Sequence, residues 1–243
     1  MNMTHQRVYV WQINIEVFEE NADAFFSLLS SDEQSRAAHL SFARDKRSFI
    51  VRRALLRMIL GSYCSVHPHQ LRFRQQQSGK PFIAFPGHTG IHFSHAHSVN
   101  MGLYAFSPDQ AVGIDVEKIR SLPDLLVVAR RFFSYREYVI LKGLSTRNRE
   151  SVFFRMWSMK EALIKANGWS LEKGLAECCT AKVFNNDYGR VADSSVCVVD
   201  SGSDFAAALA VQGCGEYEIF FEKPDAGSFI SELMRDASFD CGH

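Results

Sequence analysis

Asp115, Glu117, Glu161 and Lys165 carry the strongest chemical signal in this sequence. Gly113-Ile114-Asp115-Val116-Glu117 has strand character. Strand side chains alternate faces, so Asp115 and Glu117 point one way while Ile114 and Val116 point the other. Two carboxylates side by side repel each other unless a cation or a base sits between them. Alone, such a pair is more often a charged strand edge. The run Phe153 to Lys165 reads as one helix, and it spaces Trp157, Glu161 and Lys165 at i, i+4 and i+8, on one stripe. By itself that stripe would be a surface Glu–Lys pair of small value. Apolar residues flank it on nearly every side, which points to partial enclosure. With Glu161 as third carboxylate the set suits Mg2+, which takes carboxylates, waters and substrate phosphates.

Two further pieces offer groups for a phosphate. In Phe93-Ser94-His95-Ala96-His97-Ser98, read as a turn after a short strand, the Ser94 hydroxyl and the His95 imidazole are suitable donors. In Ser78-Gly79-Lys80-Pro81, Gly79 allows a tight turn, Pro81 fixes its exit and Lys80 supplies a point charge. Each alone is an ordinary turn. The basic set Arg36, Arg44, Lys46, Arg47, Arg52, Arg53 and Arg57 is mostly solvated helix face, with one or two members free to clamp a phosphate. There is no GxxxxGK[ST], which excludes a P-loop nucleotide site, and neither GxGxxG nor HExxH occurs.

The elements that must hold these residues alternate. Arg7 to Ile15 reads as a strand, Ala22 to Leu29 as a short helix, and Ser30-Ser31-Asp32-Glu33 as a helix start. A long amphipathic helix follows from Asp45 to Cys64. Strands are expected at 71–74, 81–85, 90–94, 100–106 and 112–116, and helices at 124–133, 135–144 and 149–166. Further strands are expected at 181–184, 194–199, 206–211 and 217–222. The reading is α+β, in two similar sub-domains of residues 1–112 and 113–243.

Composition narrows the function. Lys plus Arg and Asp plus Glu each number 27, and a net charge of zero argues against binding nucleic acid through bulk charge. No run of about eighteen apolar residues occurs, so no membrane association is expected. The amino-terminal apolar stretch is too short and interrupted for a signal peptide, so a cytoplasmic location is expected. Six cysteines without a CxxC pair are expected to be reduced thiols.

Read in order, Leu29-Ser30-Ser31-Asp32-Glu33 with Arg36, SGKP at 78–81, FSH at 93–95, GIDVEKI at 113–119, FFSYREY at 132–138 and WSMKEALIKANGWSL at 157–171 resemble the surfactin-type phosphopantetheinyl transferases. The motifs span about two-thirds of the chain. The resemblance implies a pseudo-twofold pair of α+β sub-domains with coenzyme A in the cleft between them. It implies that Asp115, Glu117 and Glu161 hold Mg2+ with the pyrophosphate of coenzyme A. It places Arg36, Ser78, Gly79, Lys80, Pro81, Ser94 and His95 against the nucleotide and its phosphates, Lys165 near the reacting phosphate, and Arg47 beside the 3'-phosphate. Two departures stand out: Ala96 replaces a serine that often follows the histidine, and Gly168-Trp169-Ser170-Leu171 replaces the usual GxGL, a loop that shapes the carrier-protein surface.

The implied enzyme is of the holo-[acyl-carrier-protein] synthase type and serves secondary metabolite biosynthesis. It moves 4'-phosphopantetheine from coenzyme A to a serine of an apo acyl, peptidyl or aryl carrier protein. Glu161 is the expected general base and Lys165 stabilises developing charge. A monomer is expected, since one chain forms the cleft. The competing readings are a metal-dependent phosphohydrolase and a non-catalytic module that binds coenzyme A or a carrier.

Overall fold

The computed structural model describes residues 6–224 apart from 88 and 214. Cys214, Cys241 and the end of the expected second sub-domain lie outside the described residues; Cys64, Cys178, Cys179 and Cys197 are free thiols.

The chain opens with β1 (Gln6–Asn14), a 3-10 stretch over Ile15–Asn21, α1 (Ala22–Phe26) and α2 (Ser31–Ala38). Ser30 and Glu33 close a capping box at the start of α2, with the Ser30 N–H donating to Glu33 at 3.1 Å. Then come α3 (Ala43–Cys64), β2 (Arg72–Gln75), β3 (Pro81–Phe85), β4 (His92–Ser98), β5 (Met101–Ser107) and β6 (Val112–Lys118). The second half adds α4 (Leu125–Phe132), α5 (Tyr135–Gly143), α6 (Thr146–Asn167), α7 (Leu171–Glu177), β7 (Tyr188–Val191), β8 (Ser194–Val198), β9 (Phe205–Gln212) and β10 (Tyr217–Glu222).

Two four-stranded sheets result, ordered β10-β1-β5-β4 and β6-β9-β8-β7, with β2 and β3 as a separate hairpin. Strand alternation decides the layers. On β9, Ala207, Leu209 and Val211 join Val8, Val10, Leu103 and Ala105 in a core between the two sheets. Ala206, Ala208 and Ala210 face the other way, into a core with α6. The outer face of the first sheet meets α3 through Ile13, Tyr104 and Phe106. Each sheet therefore carries one 22-residue helix on its outer face. This is an α+β fold of two sub-domains with similar content.

β4 and β6, each the outer strand of its own sheet, run alongside one another. Serines bridge them: Ser94 Oγ accepts the Ile114 N–H at 3.1 Å and Ser98 Oγ accepts the Lys118 N–H at 2.9 Å. Asp115 and Glu117 occupy the β6 face turned towards α6, at the edge of this seam.

Several expectations need correction. Phe93 to Ser98 is strand throughout, not a turn, and residues 181–184 are a turn rather than a strand. The N–H groups of Val183 and Phe184 donate to Thr180 O, and Arg155 takes Phe184 O at 2.5 Å, so this segment satisfies its backbone without a ladder. α7 and β7 have no counterpart among the expected elements. β10, from the second half of the chain, pairs parallel with β1 in the first sheet.

Gly113 explains how β6 reaches α6. A Cβ there would lie 2.0 Å from Ala162 O and 2.4 Å from Ala166 N, both backbone atoms that no rotamer change can move. Gly113→Ala is expected to push α6 off β6 and cost about 1–3 kcal/mol, the usual price of overpacking. Urea unfolding checks it; an unchanged midpoint would show that the layers are not in contact there.

Candidate active site

A cavity of about 230 Å³ opens at the seam between the halves. Ser78, Gly79, Lys80 and Pro81 wall it from the β2–β3 hairpin, Ser94 and His95 from β4, and Lys165 from α6. Phe93, Ile164, Gly168 and Trp169 complete the lining. The hairpin turns at Gly79 with φ +85°, a conformation that favours glycine, and α6 ends on Gly168 with φ +61° for the same reason. Both glycines bring their loops to the cavity mouth. Trp169 was read in the sequence as part of a partner-facing loop; the fold also sets it in the cavity wall.

Asp115 is buried, and its Oδ1 accepts from Lys165 Nζ at 2.8 Å. The same Nζ donates to Ile114 O at 3.1 Å. Asp115 Oδ2 is buried without a hydrogen-bond partner. Burial raises the pKa of Glu161, and the charges of Asp115 and Glu117 raise it further, against Lys165. Burial and Asp115 likewise raise Glu117, against Arg120, whose guanidinium lies 3.8 Å from Glu117 Oε2. Glu117 and Glu161 thus both feel the charge of Asp115.

The cationic wall is partly committed to structure. Lys80 Nζ donates to Val112 O at 3.1 Å and to Ala166 O at 3.2 Å, and burial lowers its pKa to about 8. It ties the hairpin to both β6 and α6 while keeping a charge at the cavity. His95 stacks on Tyr104 at 6.4 Å. Burial, then the charges of Arg53, Lys165, His97 and Arg52, lowers its pKa to about 3. At neutral pH its ring is therefore uncharged and offers one N–H donor. Ser94 Oγ accepts from Ile114, which leaves its hydroxyl proton free to donate.

Arg36 and Arg47 stand apart from this cavity. Arg36 lines a neighbouring one of about 550 Å³ with Arg44, Arg52 and His97. His97 follows His95 by two residues on β4, so the two histidines share a face, one in each cavity. Arg52 donates to the His97 ring at 2.6 Å, a link between α3 and β4 that motif reading did not single out. Arg47 lines a third groove with Glu19, Glu20 and Asp23. It precedes Arg52 by five residues, about 140° round the helix, and so faces elsewhere. Arg53 and Arg57 are held by Glu33, Arg57 through a 2.5 Å contact.

Two similar α+β halves thus meet at a cavity lined by Lys80 and Lys165, with the buried Asp115 paired to Lys165 beside it, which defines a class of two-part proteins with a site at the seam. The profile of the 4'-phosphopantetheinyl transferase superfamily matches residues 111–210, and that of the 4'-phosphopantetheinyl transferase N-terminal region matches residues 16–106. The 4'-phosphopantetheinyl transferase HetI of Nostoc sp. is 36% identical over 174 residues, 71% of this chain and 73% of that one. The 4'-phosphopantetheinyl transferase Sfp of Bacillus subtilis is 29% identical over 68% of this chain and 71% of its own. The L-aminoadipate-semialdehyde dehydrogenase-phosphopantetheinyl transferase of Pongo abelii is 25% identical over 59% of this chain and 49% of its own. This chain belongs to the 4'-phosphopantetheinyl transferase superfamily.

Proposed function

We propose that this protein transfers the 4'-phosphopantetheine group of coenzyme A to a serine hydroxyl of an apo carrier protein, releasing adenosine 3',5'-bisphosphate. One observation carries the reading: β6 and α6, the elements of the two most specific motifs, meet through the Asp115–Lys165 pair at the cavity that the SGKP and FSH segments line. Family membership supplies the reaction class. We also propose that the division into residues 1–112 and 113–243 holds, with β10 returned to the first sheet. The protein would act in the cytoplasm as a monomer; among the described residues no helix is long and apolar enough to cross a membrane.

The family implies Mg2+. Among the described residues no group of three His, Cys, Asp or Glu stands ready to hold a metal ion. Mg2+ takes few protein ligands and fills its shell with water and substrate phosphates. The donor chemistry fits: three carboxylates, one with a buried and unpartnered Oδ2. Asp115, Glu117 and Glu161 would hold it, and there it would neutralise charge on the pyrophosphate oxygens.

The protein's own groups supply the remainder. Lys165 offers a cation beside the transferring phosphate, where charge develops on in-line attack. Glu161 lies one helical turn from Lys165, and a carboxylate with a raised pKa suits it to accept the serine proton. His95 and Ser94 donate hydrogen bonds to phosphate oxygens, and Ser78 to Pro81 bound the nucleotide. Arg36, on its own cavity wall with Arg44 and Arg52, would serve a more distant phosphate, whereas Arg47 faces a separate groove with Glu19, Glu20 and Asp23.

Incubation with coenzyme A, Mg2+ and an apo carrier protein tests the reading by intact mass. A phosphopantetheine gain on the carrier is expected. Cleavage of coenzyme A without a carrier would instead mean a hydrolase, and binding without turnover a non-catalytic module. A panel of apo acyl, peptidyl and aryl carriers then identifies the pathway served.

A further inference from the structure

His95 is the group in the cavity wall whose use depends most on its aim. Uncharged at neutral pH, its ring has one N–H to give, and a single donor must point at its acceptor. The first sheet provides a support for that ring. His95 on β4 pairs directly with Tyr104 on β5, and their rings lie 15° from parallel with centroids 6.4 Å apart. That is within the range of offset aromatic stacking. Tyr104 itself is only 1% exposed and belongs to the core under α3.

Packing alone does not call for a tyrosine there. A phenylalanine would fill the same space, whereas a buried hydroxyl needs a partner. The Tyr104 hydroxyl donates to the Arg52 carbonyl of α3 at 3.3 Å, which fixes the outer end of the ring to a helix. The same Arg52 sends Nη1 to the His97 ring at 2.6 Å and Nε to Ser48 O at 3.1 Å. Gly102, opposite His97, gives the tyrosine room: a Cβ there would lie 3.3 Å from Tyr104 Cε2. The imidazole of His95 is therefore backed by an anchored ring, and the next residue on its face is tied to the anchor.

We propose that Tyr104 is a positioning residue for His95: its ring backs the imidazole and fixes its plane, so that the one N–H is aimed at a phosphate oxygen of coenzyme A. The hydroxyl tie to Arg52 is the smaller part of the effect. The proposal rests on the transferase reading, in which His95 meets phosphate. It also gives α3, which lines none of that cavity, a part in supporting the site. A phosphate contact made alike in the bound substrate and in the transition state changes binding and leaves turnover alone, so the effect belongs in KM.

Calorimetric titration with coenzyme A and Mg2+, beside kinetics with an apo acyl carrier protein, provides the test. Tyr104→Leu, which removes the ring, is expected to raise Kd and KM for coenzyme A about tenfold, with kcat at saturating coenzyme A within about twofold of wild type. Tyr104→Phe keeps the ring and should stay within about threefold of wild type, a rescue of most of the loss. The third arm places Tyr104→Leu in a His95→Ala background. With the imidazole gone, the second change should weaken coenzyme A binding by less than about twofold. Another loss of about tenfold in that background would show that Tyr104 acts on the core at large, and would overturn the proposal. So would unchanged binding in Tyr104→Leu. A loss of about tenfold in Tyr104→Phe, which keeps the core filled and guards against misfolding of the leucine variant, would overturn it too. If wild type itself binds no coenzyme A, the transferase reading fails and this inference falls with it.

Discussion

Lys160→Ala is expected to cost about 3–5 kcal/mol of folding stability at neutral pH, a large share of the roughly 5–15 kcal/mol that holds a domain folded. Lys160 and Glu137 are both fully buried, and Lys160 Nζ reaches Glu137 Oε2 at 3.1 Å and the Cys178 carbonyl. Thr180 N and Oγ1 each donate to Glu137 Oε1 at 2.7 Å, and Ser134 N donates to Oε2 at 2.8 Å. Burial alone would raise the pKa of Glu137. Lys160 and these hydrogen bonds outweigh it, so the pKa lies below the ordinary value. The sign follows for wild type. A depressed carboxylate contributes stability above its unfolded pKa, and that contribution is lost as pH falls through the lower folded value.

Without Lys160 the direction reverses. Glu137 stays buried with no cation, its folded pKa rises, and the folded variant takes up a proton that the unfolded chain does not hold. The variant therefore gains stability on acidification from about pH 7 to 5, while wild type does not. Urea unfolding at both pH values measures the gap, which should narrow at the lower one. Lys160→Met with Glu137→Gln should recover much of the loss, because both charges go while an amide oxygen remains to accept from Thr180. A gap that stays constant with pH would show that Lys160 acts by packing alone, for instance against the Phe133 ring 5.4 Å away.

That pair marks where sequence reading stops. Glu137 and Lys160 lie inside quoted motifs, yet nothing in their spacing tells a buried pair from two surface charges. Periodicity located the long helices well: Asp45 to Cys64 became Ala43–Cys64, and 149–166 became Thr146–Asn167. It placed Pro81–Phe85 and Tyr217–Glu222 with their ends intact. It did not find the partner of β10, because pairing across the chain leaves no local trace. β4 was missed as a full strand because its polar residues look like a turn. In the fold Ser94 and Ser98 stitch one face to β6, and His95 and His97 line cavities on the other. The fold brings Asp115 to Lys165, and Lys165 to the cavity that the SGKP segment lines. Arg47 did not join them, because its position on α3 turns it away, and composition alone carries no angle.

Glu161→Gln is expected to lower the single-turnover rate by roughly 10²-fold or more, even at saturating Mg2+ and coenzyme A. Two roles are proposed for this carboxylate, and the substitution separates them. Glutamine keeps the shape and one oxygen but loses the charge and the basicity. Removing that charge also removes repulsion from Asp115 and Glu117, the neighbours that raise the Glu161 pKa after burial. Coenzyme A binding should therefore survive, at a higher Mg2+ requirement, and calorimetric titration can show this without any turnover. Chemistry should not recover with it. A serine hydroxyl attacking phosphate must shed its proton, and the lost base leaves no acceptor of similar strength on that turn of α6, where Lys165 is already a donor to Asp115. A metal requirement raised alone, with the rate fully restored by excess Mg2+, would reduce Glu161 to a ligand. A depressed rate with an unchanged metal requirement would make it a base alone. In the first case the proton must leave through solvent, and the raised pKa of Glu161 would then reflect its crowding beside two other carboxylates, with no part in the chemical step.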